Sequence, residues 1–275
     1  MKSSVWSSYY VDLSPEDMVR EMVKHGFHHC ELSDEHSCML LDRGDPQTVG
    51  EEFRAFAEKA GITFSQGHLI LRMRLTEEED RKILKRQLEL FRAVGIRNAV
   101  LHLDHVKRVP GITPEEKIAR NLPPLRELLA YIEGWDLFLC LENLRSPFDS
   151  AEALVEIVQK INHPQLAICL DTGHLHFSTA PDQKAFIQKA GHLIKALHLA
   201  DNEGERDQHM MPFGKGTVDF LEVIREMKAL GYEGLYNLEI PGERMAPLEV
   251  LGYKLDYLKQ MMDYLDRVTE PDTAE

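Results

Sequence analysis

The stretch Leu166-Ala167-Ile168-Cys169-Leu170-Asp171-Thr172-Gly173-His174 decides the fold. Its first five residues are all apolar, and the run stops at an aspartate. A strand that is apolar on both faces must be covered on both faces, which is the condition of a parallel sheet wrapped by helices. Charge confined to the C-terminal end of such a strand fits an α/β barrel, whose chemistry sits where strands give way to βα loops.

Working outward, seven more runs of the same kind appear. The predicted strands are Ser4–Tyr9, Phe27–Leu32, Ile62–Gly67, Asn98–Leu103, Leu137–Leu141, Leu166–Leu170, Ile194–Leu199 and Leu235–Ile240. Helix signals lie between them. Ser14-Pro15-Glu16-Asp17 combines a cap, a proline at the first helical position and acids in the first turn, and that helix ends at Gly26. Further helices are predicted from Pro46 to Ala60, from Thr76 to near Gly95, from Thr113, from Asp149, from Pro181, over Thr217–Leu230 and over Pro247–Val268. Eight strands alternating with eight helices give a (β/α)8 TIM barrel, with residues 1–275 as one domain and a polar, fraying tail at Thr269–Glu275. A doubly wound open sheet would carry a glycine fingerprint after an early strand, and none is present.

The composition narrows the function classes. A formal net charge of −14 repels phosphate backbones, so nucleic acid is an unfavoured partner. No apolar run approaches the roughly 20 residues that span a bilayer, and the N-terminus has no apolar signal core, so no membrane partner is expected. Cys30, Cys38, Cys140 and Cys169 form no CxxC pair. Three of them sit in strand-like runs and read as reduced core thiols, which points to the cytoplasm.

The strand ends carry the chemistry. From the second strand onward they present Glu31, His68, His102, Glu142, Asp171 with His174, His198, and Glu239, and the loop after the seventh strand adds Asp207 and His209. One strand-end histidine means little, but seven consecutive strands ending in Glu, Asp or His are different. Packing these groups on one rim sets carboxylates against one another, and a divalent cation removes that cost. Mixed imidazole and carboxylate donors suit Mn, Zn, Fe or Co better than Ca. His25, His28, His29, His36, His163 and His192 fall on helix ends, loops or a strand start and read as structural or solvated. His105 and His176 lie one step beyond better-placed candidates.

With these residues in view, the sequence resembles the xylose isomerase-like TIM-barrel superfamily. The resemblance is carried by Leu141-Glu142-Asn143, by Leu170-Asp171-Thr172-Gly173-His174, by His198-Leu199-Ala200-Asp201-Asn202-Glu203-Gly204, and by the segment from Asp207 to Asp219. It implies a metal site built by Glu142, Asp171, His198 and Glu239, with His174 close by. It also implies that Glu142 and Glu239 are the catalytic pair of a sugar or sugar-phosphate isomerase or epimerase. The implied metal is Mn2+ or Zn2+, with Mg2+, Co2+ or Fe2+ as alternatives. Sugar 3-epimerases of the group carry another glutamate soon after the fifth-strand ligand, whereas this loop reads Asn143-Leu144-Arg145-Ser146-Pro147-Phe148. Arg206 follows His198 at a longer spacing than the arginine of those enzymes. The abasic-site nucleases of the superfamily use three zinc ions, and all their ligand types are matched here: His68, His102, Glu142, Asp171, His174, His198, Asp207, His209 and Glu239. An endonuclease IV-type phosphoesterase and an inosose or dehydroshikimate dehydratase-like lyase therefore stand as alternatives.

The expected substrate is a small carbohydrate or polyol. Glu31, Asn143, Arg145 and Lys215 are the expected substrate contacts. Lys215 sits between Gly214 and Gly216 just before a helix, where barrels often hold phosphate. Trp6 either stacks on a sugar or fills the barrel. Self-association is left open.

Overall fold

The computed structural model describes residues 1–105, 111–145, 150–178 and 181–270. Eight parallel strands close into one barrel: β1 (Lys2–Trp6), β2 (His29–Leu32), β3 (Thr63–His68), β4 (Asn98–Leu101), β5 (Phe138–Glu142), β6 (Leu166–Asp171), β7 (Ile194–Leu199) and β8 (Leu235–Leu238). Each strand pairs with the next in sequence, and β8 closes onto β1 through the pairs Lys2–Leu235 to Val5–Leu238. The (β/α)8 expectation is therefore met.

Ten α-helices surround the strands among the described residues: α1 (Pro15–Lys24), α2 (Asp34–Leu41), α3 (Pro46–Ala60), α4 (Glu78–Val94), α5 (Pro114–Tyr131), α6 (Ala151–Ile161), α7 (Thr172–His176), α8 (Gln183–Ala190), α9 (Phe220–Ala229) and α10 (Leu248–Val268). The caps that mark their starts do the expected work. Ser14 and Asp45 accept from the backbone N–H three residues on, and Thr113 with Glu116 forms a reciprocal capping box. Gly61 and Gly95 end α3 and α4 at φ of 97° and 94°, a left-handed conformation that costs glycine little.

Three differences from the sequence reading have physical causes. The first strand stops at Trp6, and Ser7–Tyr10 forms a tight 3-10 turn instead of extending to Tyr9. The turn carries the Tyr9 hydroxyl to the Leu251 carbonyl (2.8 Å), so its apolar rings pack under α10 rather than in the sheet. Helix α2 lies between β2 and α3, where the sequence reading has no helix. Asp34, His36, Ser37, Leu40 and Leu41 are all buried there, so no amphipathic stripe advertises it, although Ser33 caps it. Helix α7 is a single turn capped by Asp171 itself, too short to show periodicity. Asp149, expected to open α6, lies outside the described residues, as do Ser146–Phe148 and residues 271–275. Ser150 caps α6.

Strand alternation explains where side chains go, because successive residues point to opposite faces. Leu139, Leu141, Leu166, Ile168, Leu170, Leu197 and Leu199 face the helices and belong to the main apolar core. The interposed Cys140, Ala167, Cys169 and Ala196, with Val100, form a separate small-residue cluster inside the barrel. On the same inward face, one step further along, stand Glu142, Asp171 and His198. All four cysteines are free thiols, and three of them are buried.

Candidate metal centre

Strand pairing sets the geometry of the rim. Glu142 is level with Cys169 and Asp171 with His198, so the inward side chains of β5, β6 and β7 converge. Glu239 follows the last residue of β8, and its backbone N–H donates to Leu199 O at 3.1 Å. The ligand atoms of Glu142, Asp171, His198 and Glu239 all lie within 4.8 Å of one another, and all four residues are buried.

Two further clusters share this rim, each with its ligand atoms within the same 4.8 Å. The first joins His68 and His102 to Glu142. Their Nε2 atoms stand 3.1 Å and 2.8 Å from Glu142 Oε2. The second joins His174, Asp207 and His209. Asp207 Oδ1 is 3.4 Å from His174 Nε2 and 3.3 Å from His209 Nε2. Glu142 connects the first cluster to the quartet, with Oε2 turned to His68 and His102 and Oε1 3.2 Å from His198 Nδ1. His174 connects the quartet to the second cluster, its backbone N–H donating to Asp171 Oδ1 at 2.5 Å. The structure thus brings together all nine residues that the sequence pattern singled out.

The electrostatics describe a site that needs positive charge. Burial pushes the Asp171 carboxyl up to about 6, and nearby Glu239 and Glu142 add to that rise against the opposing pull of His174 and His209. Burial would raise Glu142 as well, but the charges of His198 and His102 hold it well below the ordinary carboxylate range. His68 and His209 show the reciprocal effect. Burial opposes protonation, yet Glu142 holds His68, and chiefly Glu239 holds His209, at about 9. Asp171 Oδ2 and Glu239 Oε2 are buried without a hydrogen-bond partner, although His198 Nδ1 lies 3.2 Å from the latter. Buried carboxylate oxygens left unpaired are costly, and a cation in their midst satisfies them. The donor set is oxygen and imidazole nitrogen with no thiolate, which fits Mn, Zn, Fe or Co.

The expected substrate contacts fare differently. Glu31 is not on the rim. It is fully buried below it, with His198 Nε2 2.9 Å from its Oε2 and Gln66 Nε2 donating to the same oxygen. Asn143 is likewise committed elsewhere. Its Nδ2 donates to Asp171 O at 3.0 Å and its Oδ1 accepts from Asp171 N at 2.8 Å, so its amide clamps β5 to β6 beside the metal ligand. Arg145 stays at the rim with its guanidinium 5.4 Å from the Phe177 ring centre, and Lys215 is exposed. Trp6 is half-buried and donates to Ile240 O at 3.1 Å. His176 is half-buried and pairs with Thr217 Oγ1 rather than with the ring. Sequence reasoning missed the depth of Glu31 and the role of Gln66 and Asn237 beside it. Period-two alternation inward from His68 and Glu239 was the signal that could have found them.

The family model for the xylose isomerase-like TIM barrel matches residues 19–264. The chain belongs to this family. Among individual proteins, this member of the xylose isomerase-like family is 29% identical over 177 residues to protein MJ1311 of Methanocaldococcus jannaschii, covering 58% of this chain and 59% of that one. It is 29% identical over 135 residues to fructoselysine 3-epimerase of Escherichia coli O157:H7, covering 47% of this chain and 48% of the enzyme. The chain thus spans about half to three fifths of the length of these curated relatives. In three dimensions it superposes on D-psicose 3-epimerase of Clostridium cellulolyticum H10 with a TM-score of 0.79 at 18% identity, covering 98% of this chain and 100% of that one. A D-tagatose 3-epimerase-like protein gives 0.78 at 20% identity, with 98% of each chain covered. At these identities the structural likeness establishes the fold. No described helix is long and apolar enough to cross a membrane.

Proposed function

We propose that this protein is a divalent-metal-dependent isomerase or epimerase of a small sugar or sugar phosphate. One observation carries the reading: two glutamates, Glu142 and Glu239, converge with Asp171 and His198 on a single buried point at the C-terminal end of the barrel. A divalent ion held by these four supplies Lewis acidity to a carbonyl and its neighbouring hydroxyl, and Mn2+ or Zn2+ suits the donors best. Glu142 and Glu239 come from strands on different sides of the ring. One takes the proton from the carbon beside the carbonyl, and the other returns a proton to the opposite face. The kinship to fructoselysine 3-epimerase supports the same class.

A specific observation favours a second reading. Glu142 presents one oxygen to His68 and His102 and the other to His198, so it could serve two ions, and His174, Asp207 and His209 could hold a third. That arrangement suits a multinuclear phosphoesterase of the endonuclease IV type. The net charge of −14 weighs against a nucleic-acid substrate.

The deciding experiment combines metal content with isotope exchange. The primary reading expects metal-dependent deuterium uptake from heavy water into an aldose, ketose or inosose from a panel, with metal retained in Asp207→Ala. Three ions per chain, lost in part with Asp207→Ala, together with cleavage of an abasic duplex and no deuterium uptake, would replace it with the second. Deuterium uptake accompanied by loss of water would instead assign a lyase on the same enolate chemistry.

A further inference from the structure

His198 has two ring nitrogens, and only one can serve the quartet. Nδ1 faces it, 3.2 Å from Glu142 Oε1 and 3.2 Å from Glu239 Oε2. Nε2 points down the barrel, 2.9 Å from Glu31 Oε2 and 3.1 Å from Glu31 Oε1. Glu31 is held in turn. Gln66 Nε2 donates to its Oε2 at 2.9 Å, and Asn237 Nδ2 donates to the same oxygen. The Ser4 hydroxyl donates to Asn237 Oδ1 at 2.8 Å and so fixes that amide. These five residues come from β1, β2, β3, β7 and β8, and each is fully buried. Among the described residues Glu31 has no lysine or arginine partner; its one ion pair is with His198. A carboxylate this deep gives up its hydration, so a barrel that only needed filling would be better served by an apolar side chain.

We propose that Glu31 is a positioning residue that holds His198 with its proton on Nε2 and so reserves the Nδ1 lone pair for the metal. The inference rests on the metal reading above. A neutral imidazole carries one N–H, and an ionised carboxylate can only accept. Facing Glu31, the proton goes to Nε2, and Nδ1 is left as a donor to a cation. Carboxylates behind metal-bound histidines fix ring orientation and tautomer in this way. The two amides on Glu31 Oε2 extend the argument. In Glu31→Gln the new NH2 takes either the Oε1 position, which faces His198, or the Oε2 position, which faces His198 and both amide donors. At Oε1 it sets a donor against the imidazole N–H and leaves Oε2, shared with the two amides, as the one acceptor to hold that proton. Facing Gln66 and Asn237, it meets two donors with a third, and both amides must turn.

The test uses the full chain and Zn2+ as the probe. Zinc affinity of the wild type and of Glu31→Gln is measured by titration calorimetry, with melting curves to confirm that the variant folds. Nitrogen-15 NMR of the zinc-loaded wild type reads the His198 tautomer, assigned against His198→Asn. The expected results are an Nε2–H, Nδ1-bound His198 and a loss of about 10- to 100-fold in zinc affinity in Glu31→Gln. Unchanged affinity in a folded Glu31→Gln, or a wild-type His198 bound through Nε2, overturns the assignment and leaves the metal site standing. If Glu31→Gln does not fold, the wild-type spectrum decides alone. A wild type that takes up no zinc defeats the metal reading itself, and the role of Glu31 with it.

Discussion

The inside of this barrel has two layers built on opposite plans. On the side of β4 to β7 the lower layer consists of Val100, Cys140, Ala167, Cys169 and Ala196, small side chains that fill space and ask for nothing, while Glu31, Gln66 and Asn237 occupy its other side. One step up the same strands stand Glu142, Asp171 and His198, charged and mutually dependent, with Glu239 and the two histidine clusters around them. The quartet is as buried as the layer beneath it, so burial does not distinguish the two. What differs is self-sufficiency. The lower layer is complete as a packed core, whereas the upper leaves Asp171 Oδ2 and Glu239 Oε2 unpaired and holds its histidines protonated for want of another cation. The barrel wall supports a rim that is incomplete by design of its donors.

The largest expected effect comes from breaking the rim. Asp171→Ala removes a buried donor and the cap of α7 together, and turnover should fall by roughly 10³-fold or more, with loss of bound metal. Isomerase assays and elemental analysis on the same preparation check this; a variant that keeps full metal and activity would dissolve the distinction between layers. Breaking the wall should give the converse result. Leu197→Ala, from a fully buried outward face of β7, should cost about 2–5 kcal/mol of stability by cavity formation. Its folded fraction should bind metal as before, which denaturant unfolding and titration together would show.

Metal removal sharpens the comparison. An ion present at 100 times its dissociation constant stabilises the native state by about 2.7 kcal/mol, so a chelator should lower the melting temperature of the wild type. The metal-free protein should also acquire a pH dependence. His68 and His209 are held at about 9, against about 6.5 when unfolded. Raised values mean that their contribution is fully present below about 6.5 and is lost as pH climbs through 9. Metal-free stability should therefore fall between those limits, while an ion on the quartet, whose positive charge offsets that of Glu142 and Glu239, should lower both histidines and flatten the profile. Equal pH profiles with and without metal would contradict the placement of the ion beside Glu142 and Glu239.

Much of this was legible in the sequence. The eight runs were read because parallel strands buried on both faces cannot hide their apolar character, and the acids and histidines that end them stand out for the same reason. Glu142, Asp171, His198 and Glu239 lie at strand ends in the sequence, and in the structure they meet. The misses have a common cause. Helix α2 and residues Ser7–Tyr10 are buried on several sides, so they show no two-tone pattern to read. Glu31 and Asn143 were placed on the substrate because a polar residue at a strand end looks exposed. Only the register reveals that Glu31 lies one layer lower, level with Gln66. Polar residues that serve other polar residues leave no local mark.

The smallest expected effect lies at the boundary between rim and wall. Gly67 precedes His68 on β3 and faces outward, and a Cβ there would stand 2.8 Å from Phe91 Cζ and 2.9 Å from Ile96 Cδ1. Both neighbours are fully or nearly fully buried, so they cannot simply swing away. Gly67→Ala should thus push α4 or tilt β3, at a cost of about 1–3 kcal/mol. Because His68 is the next residue, the tilt should reach the rim in a graded way. Its Nε2 contact with Glu142 Oε2, 3.1 Å here, should lengthen while the quartet stays intact. In a one-metal site this costs stability and leaves metal affinity within a few-fold of the wild type. In a multinuclear centre it weakens specifically the ion held by His68 and His102. Stability and metal stoichiometry of this one variant therefore separate wall from rim, and one ion from several.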